Sequence, residues 1–294
     1  MNLFRDSCTV DIIRSDERVY GVTSLHNNLF VLRADRIDVY MTTSNYAFLH
    51  SLPLAGLKGH EWNDLTSSVL RDCLYVADCA NKLIRAVELG GSVGEWVVPD
   101  CPCGVSVTPD DDALLVTCAY PSRQLRELGF DGGDWLRRVD LSPDIQRPLH
   151  AVKLTTGHYV VSHSCARGLT GQHRVCVVDA TGSILLSYGA QSGSGNGQLD
   201  WPCHISLDKD DSVFVADSTN NRIVLLNAAA QLVREYVGSL SHPRRLHFER
   251  ATRRLCIGEL AGRVVVVQLN DCAPSHCPSI HLLDEQSRPA PRSA

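Results

Sequence analysis

Residues 189–226, GAQSGSGNGQLDWPCHISLDKDDSVFVADSTNNRIVLL, constrain the fold more than any other stretch of this chain. A glycine-rich approach leads to Pro202, which opens an alternating strand, and residues 208–211 make an acidic turn. A second strand follows over residues 212–216; then Asp217 and the pair Asn220-Asn221 turn the chain into a third strand from Arg222. Gly, Asn and Asp supply the turn geometry, while period-two alternation marks the strands. One such unit is an antiparallel meander. Weaker copies recur at a period of about 40 to 50 residues, the mark of repeat folds in which no unit can bury its apolar faces alone.

The copies align residue by residue. The hairpin at residues 72–84 (DCLYVADCANKLI) superposes on residues 211–223 (DSVFVADSTNNRI), with Asp78 over Asp217, Asn81 over Asn220 and Ile84 over Ile223. Unit openings fall at Val19, Trp62, Pro102, Pro148, Pro202 and Pro243, and each leads to an apolar position: Val22, Leu65, Val105, Val152, Ile205 and Leu246. Second β-rich runs follow at 29–32, 74–77, 113–117, 159–162, 213–216 and 255–258, and third runs at 37–40, 83–89, 124–128, 174–178, 223–226 and 263–269. Short turns between these runs leave no room for helical crossovers. The expected fold is all-β, a six-bladed β-propeller of four-stranded antiparallel blades.

The last unit has only three strands, and residues 8–13 (CTVDII) form a lone strand without a unit. Pairing the two removes an open edge, so the N-terminal strand is expected to close the last blade. Residues 1–18 then close the ring, residues 19–269 form the propeller, and residues 270–294 are expected to be a flexible tail.

The residues 195–199, Pro202, the run Val213-Phe214-Val215-Ala216-Asp217 and the run Asn220-Asn221-Arg222-Ile223 resemble the NHL repeat, a proline-led strand followed by V-A-D and N-H-R-I or N-H-L. The second unit (VADCANKLI) carries the pattern too. The first, third, fourth and sixth place Arg33, Cys118, His163 and Glu259 where Asp78 and Asp217 sit. The resemblance covers residues 19–269. It implies a partner-binding module like the C-terminal propellers of tripartite-motif proteins, which read protein or RNA; related six-bladed propellers include a metal-dependent lyase and lactonases. Turn chemistry accounts for Asp78, Asn81, Asp217 and Asn220, with Arg222 pairing beside Asp217 or toward the next blade.

A chain of 294 residues with 44% apolar and 6% aromatic residues can fill one such ring with β-branched and leucine side chains. The net charge of −5 argues against a surface that binds nucleic acid as a whole, and no DNA partner is expected. No apolar run approaches the ~18 residues of a membrane helix. The first residues lack a signal-type apolar region and no N-x-S/T sequon occurs, so the expected location is cytoplasmic and the 12 cysteines are read as reduced, buried hydrophobes. Neither Cys101-Pro-Cys103 nor the Cys272/Cys277 pair makes paired C-x2-C zinc knuckles, and no RING or B-box pattern is present. The glycine-rich residues 192–197 lack the Lys-Ser/Thr of a phosphate loop and precede a strand.

Strand-one entrances line the channel of a propeller, and they bring up the candidate site: Tyr20, Asp64, His150, His204, Arg244 and Arg245. Asp64, His150 and His204 have the donor types of a zinc site. The lyase with a similar fold carries its histidines directly after the proline, where Leu149 and Cys203 stand here, and a one-residue slip reverses a strand side chain. No metal, cofactor or catalytic residue is therefore expected. Arg244 and Arg245 fall on the entrance face but Arg250, Arg253 and Arg254 on the opposite one, which divides the basic cluster. The expected function is a non-catalytic scaffold that recognises a protein or peptide through one face, in the manner of a ubiquitin-ligase substrate-recognition part. An RNA-binding module is the second reading, and a metal-dependent lactonase or lyase the reading of a different class.

Overall fold

The computed structural model describes residues 7–59, 63–90, 92–130, 135–165 and 171–269, with the backbone alone for 7–11. It forms six four-stranded antiparallel sheets, each a meander of sequential strands except the last. The innermost strands are Gly21–Leu25, Asp64–Ser68, Pro102–Val107, Arg147–Lys153, Pro202–Leu207 and Pro243–Glu249. Each packs against the innermost strand of the next blade, and blade six returns to blade one, so the strands surround a central channel. This is the six-bladed β-propeller expected from the repeat.

The last sheet runs Ser7–Ile13, Val264–Leu269, Arg254–Glu259, Pro243–Glu249, with the N-terminal strand antiparallel to Val264–Leu269. The first and last described strands therefore share one blade. Ile13, Val19, Val22 and Leu29 pack with Cys256, Val264 and Val266 across the seam. Trp62 and the expected tail at 270–294 lie outside the described residues.

Burial follows strand position. Second strands such as Cys73–Asp78 and Tyr159–Ser164 are buried throughout, because each lies between two neighbouring sheets. Outer strands such as Val93–Val97 face solvent along most of their length. The apolar clusters lie between blades: Leu32 and Val39 of blade one meet Leu74 and Val76 of blade two. The turn before each second strand uses one left-handed residue, namely His26, Asp72, Asp111, Gly157, Asp211 and Arg253. Asp is frequent there because its short side chain tolerates this conformation and bonds locally. Asp211 reaches back one blade to accept Thr155 N–H at 3.0 Å.

The repeat residues form a corner where the second strand ends. Asp217 accepts hydrogen bonds from Asp200 N–H (2.6 Å), Asn220 Nδ2 (2.8 Å) and Arg222 Nε (2.7 Å). Asp78 pairs with Arg85 at 3.0 Å and accepts Asn81 N–H at 3.2 Å. In blade one the charges are exchanged: Arg33 occupies the carboxylate position and Asp38 meets its Nε at 3.1 Å.

One expectation is corrected here. Cys79, just after the blade-two corner, is disulfide-bonded to Cys101, just before the Pro102 opening of blade three. Both ends lie on the entrance face, so residues 22 apart in sequence become neighbours. Cys73, Cys103, Cys118, Cys165, Cys176, Cys203 and Cys256 are buried thiols.

Candidate functional site

The residue after each opening proline sits at a bulge. Register shifts occur between Pro148 and His150, Pro202 and His204, Pro102 and Gly104, and Pro243 and Arg245. An extra residue in one strand re-aims the side chains that follow it. Leu149 and Cys203 consequently enter the apolar core between blades, whereas His150 and His204 meet inside the channel. The expectation from strand parity, that the position directly after the proline faces the channel, is corrected by this bulge.

In the channel three blades converge on one carboxylate. Asp64 Oδ1 lies 3.2 Å from His204 Nε2 and 3.4 Å from Arg245 Nε, and Oδ2 lies 3.3 Å from His150 Nε2. Oδ2 also accepts Val105 N–H at 3.0 Å. The two imidazoles stack with centroids 3.7 Å apart. Arg245 donates further to the carbonyls of Tyr20 (2.7 Å), Asn63 (2.6 Å) and Arg244 (2.9 Å). Relative exposures of 0% for Asp64, 2% for His150, 6% for His204 and 4% for Arg245 make this a buried plug.

Hydrogen-bond direction fixes the His204 tautomer. Leu246 N–H donates to Nδ1 at 3.3 Å, so the ring proton sits on Nε2 and points at Asp64. Burial, then the neighbouring His150, lowers the His204 pKa to about 3, so the ring is neutral at neutral pH. Burial would raise the Asp64 carboxyl, but the facing imidazoles outweigh it and hold it well below the usual carboxylate range. The three ligand-type atoms lie within 4.8 Å of one another, a metal-like spacing. His204 as held here does not fit a metal, however: a neutral imidazole ligating through Nε2 must carry its proton on Nδ1, which in His204 faces the Leu246 N–H, whereas His150 Nδ1 is buried with no hydrogen-bond partner among the described residues.

Past the plug, a cavity of about 470 Å³ runs from His150 and His204 to the hairpins joining first and second strands. Ser24, Thr66, Ser106, Ser206 and His247 line it. His247 Nε2 lies 2.8 Å from Ser24 Oγ, and its Nδ1 lies 3.4 Å from Thr23 Oγ1. Burial, then Arg250, lowers the His247 pKa to about 4. These contacts join blade six to blade one. Ser24 and His247 stand mid-strand outside the repeat motif, so no local pattern marks them in the sequence.

The predicted rim residues are thus brought together but not displayed. Asp64, His150, His204 and Arg245 form the plug, Arg244 is buried beside it, and Tyr20 alone of the six is partly exposed. Arg254 donates to Tyr46 Oη at 3.2 Å and Arg263 pairs with Glu259 at 2.6 Å, which spreads the basic residues further.

Fold and site define a six-bladed β-propeller with a plugged central channel. No protein-family pattern matches the chain, and no curated protein matches its sequence. Solved structures do. A streptogramin B lyase is 13% identical with a TM-score of 0.60, covering 90% of this chain and 97% of the other. Virginiamycin B lyase from Staphylococcus aureus is 12% identical with a TM-score of 0.59, covering 90% and 99%. Hydrazine synthase of Kuenenia stuttgartiensis is 11% identical with a TM-score of 0.61, covering 86% and 96%. At these identities the likeness shows the fold alone, and the NHL resemblance rests on the motifs of blades two and five.

Proposed function

We propose that this propeller is a non-catalytic scaffold that binds a protein or peptide on the face where the strand-one entrances and repeat corners lie. The observation that carries the reading is the plug. Asp64, His204 and Arg245 direct their polar atoms at one another or at backbone groups, which closes the channel at this face and makes it a surface instead of a funnel. A general base or nucleophile needs a free partner for substrate, and the plug offers His204 and Asp64 to each other instead. Net charge of −5 and the burial of Arg244 and Arg245 favour a protein partner over RNA, which needs a concentrated basic face. The NHL resemblance supports a role as the recognition part of a ubiquitin-ligase-type assembly. The Cys79–Cys101 bond counts against that assembly, because structural disulfides belong to oxidising compartments and ubiquitin ligases work in reducing ones.

The test is affinity purification from the source cell with and without ribonuclease, beside elemental analysis of the purified chain. A retained protein partner, insensitive to ribonuclease, supports the scaffold. Loss of partners on ribonuclease treatment puts RNA first, and one equivalent of metal removed by His150→Ala/His204→Ala restores the lyase-type reading.

A second reading keeps one observation. The Ser24–His247 contact is a hydroxyl–imidazole pair inside an open cavity, as covalent hydrolases require. Labelling by a fluorophosphonate that Ser24→Ala abolishes would favour it over the scaffold.

A further inference from the structure

Five blades supply a carboxylate to an arginine at the corner on the entrance face. The pairs are Asp38 with Arg33 (3.1 Å), Asp78 with Arg85 (3.0 Å), Asp100 with Arg126 (3.3 Å), Asp217 with Arg222 (2.7 Å) and Glu259 with Arg263 (2.6 Å). Blade four keeps the arginine and loses the acid. His163 stands at the carboxylate position, and Arg174 Nε donates to its Nε2 at 3.3 Å.

That contact dictates what the corner can bind. Nε2 accepts, so the His163 proton is on Nδ1, and this donor is fully buried with no hydrogen-bond partner among the described residues. Burial and the adjacent guanidinium lower the His163 pKa to about 3, so the ring brings no second charge. Ser164 Oγ beside it is also buried without a partner. Arg174 gives Nη2 to the Asp144 carbonyl at 3.4 Å and makes no ion pair with a carboxylate among the described residues. Asp200 of the next blade lies 3.1 Å from His173 Nδ1, which accepts Trp201 N–H at 2.9 Å, and it forms no ion pair with Arg174 among the described residues. Residues 166–170 (ARGLT) contain no acid. The corner is rich in donors and carries an uncompensated guanidinium, a combination matched by a planar carboxylate.

We infer that the blade-four corner is a carboxylate-binding site, in which an acidic residue of the peptide partner neutralises the Arg174 guanidinium as each other blade neutralises its arginine with its own acid. This rests on the scaffold reading for the source of the carboxylate, while the site itself is tested with small probes.

The readout is the ¹⁵N–¹H resonance of Arg174 Nε in the full chain, titrated with acetate and with capped Gly-Glu-Gly, Gly-Gln-Gly and uncapped-carboxyl Gly-Gly-Gly peptides. A saturable shift is expected with acetate and the Glu peptide, with the Gln peptide about tenfold weaker or more. A stronger response to the free C-terminal carboxylate than to Glu would overturn the assignment to an acidic side chain. His163→Asp restores the pair of the other blades, so the variant should fold with a raised melting temperature and lose the acetate response. No saturable shift, or a shift unchanged in His163→Asp, sinks the site. Binding of acetate in a chain that captures no protein partner leaves the site standing and removes the scaffold; partner capture without the acetate response does the reverse.

Discussion

His204 and Asp64 join blade five to blade two straight across the channel, with Nε2 3.2 Å from Oδ1. In a ring of repeats the packing contacts otherwise run between neighbouring blades. Here the two residues are 140 positions apart in sequence, and Arg245 of blade six meets the same carboxylate. The channel diameter at this face is therefore set by side chains as well as by blade packing.

Removing the centre of the plug should be costly. Asp64→Ala removes the one carboxylate that His204, Arg245 and the Val105 N–H share and leaves buried donors unsatisfied, a loss of roughly 2–4 kcal/mol. Asp64→Asn keeps part of the hydrogen bonding and should lose less. Urea unfolding of both variants checks the order, and equal stability of Asp64→Ala and wild type would show the plug to be ornamental.

Deleting residues 1–18 removes the strand Ser7–Ile13 and with it the ladder to Val264–Leu269. The exposed edge should lower the melting temperature by roughly 5–10 °C, corresponding to a few kcal/mol, and promote association. Thermal melting with light scattering measures both. A monomer with unchanged melting would place ring closure elsewhere.

The Cys79–Cys101 bond closes a loop of 22 residues between adjacent blades. Loop-closure entropy for this length amounts to about 3 kcal/mol. Non-reducing peptide mapping should recover the linked pair, and reductant should lower the denaturant midpoint accordingly. Finding both residues alkylated in the native protein would contradict the bond.

Acid should destabilise the fold from near neutrality. His204 and His163 are each lowered to about 3 by burial, whereas an unfolded imidazole titrates near 6.5. The unfolded chain therefore takes up protons first. Stability from these residues is complete above about pH 6.5 and falls as pH drops toward the folded values, by about 1.4 kcal/mol per pH unit for each ring. Asp64, held low, adds loss in the same direction at still lower pH. Unfolding free energies at pH 7, 6 and 5 give the slope, and His163→Gln should reduce it by about one proton.

The blade plan was legible in the sequence. Strand runs at 74–77 and 213–216 lie within the observed Cys73–Asp78 and Val213–Asp217, and the lone N-terminal strand pairs where an open edge required it. Period-two alternation and turn residues act locally, so they survive in the order of the residues. The spacing also brought Asp64, His150 and His204 to one level of the channel.

The bulge after each opening proline, which sends Leu149 and Cys203 to the core and His150 and His204 into the channel, belongs to the tertiary structure, because one unpaired residue reverses a strand's faces without altering its pattern. Burial of Arg244 and Arg245 and the Cys79–Cys101 bond likewise depend on which blades stand side by side. The sequence by itself determined six alternating units and the strand that closes them, since those follow from local turns and the cost of an open edge. Only the folded ring decided which polar groups spend their hydrogen bonds on one another, since residues distant in sequence become neighbours only when the circle closes.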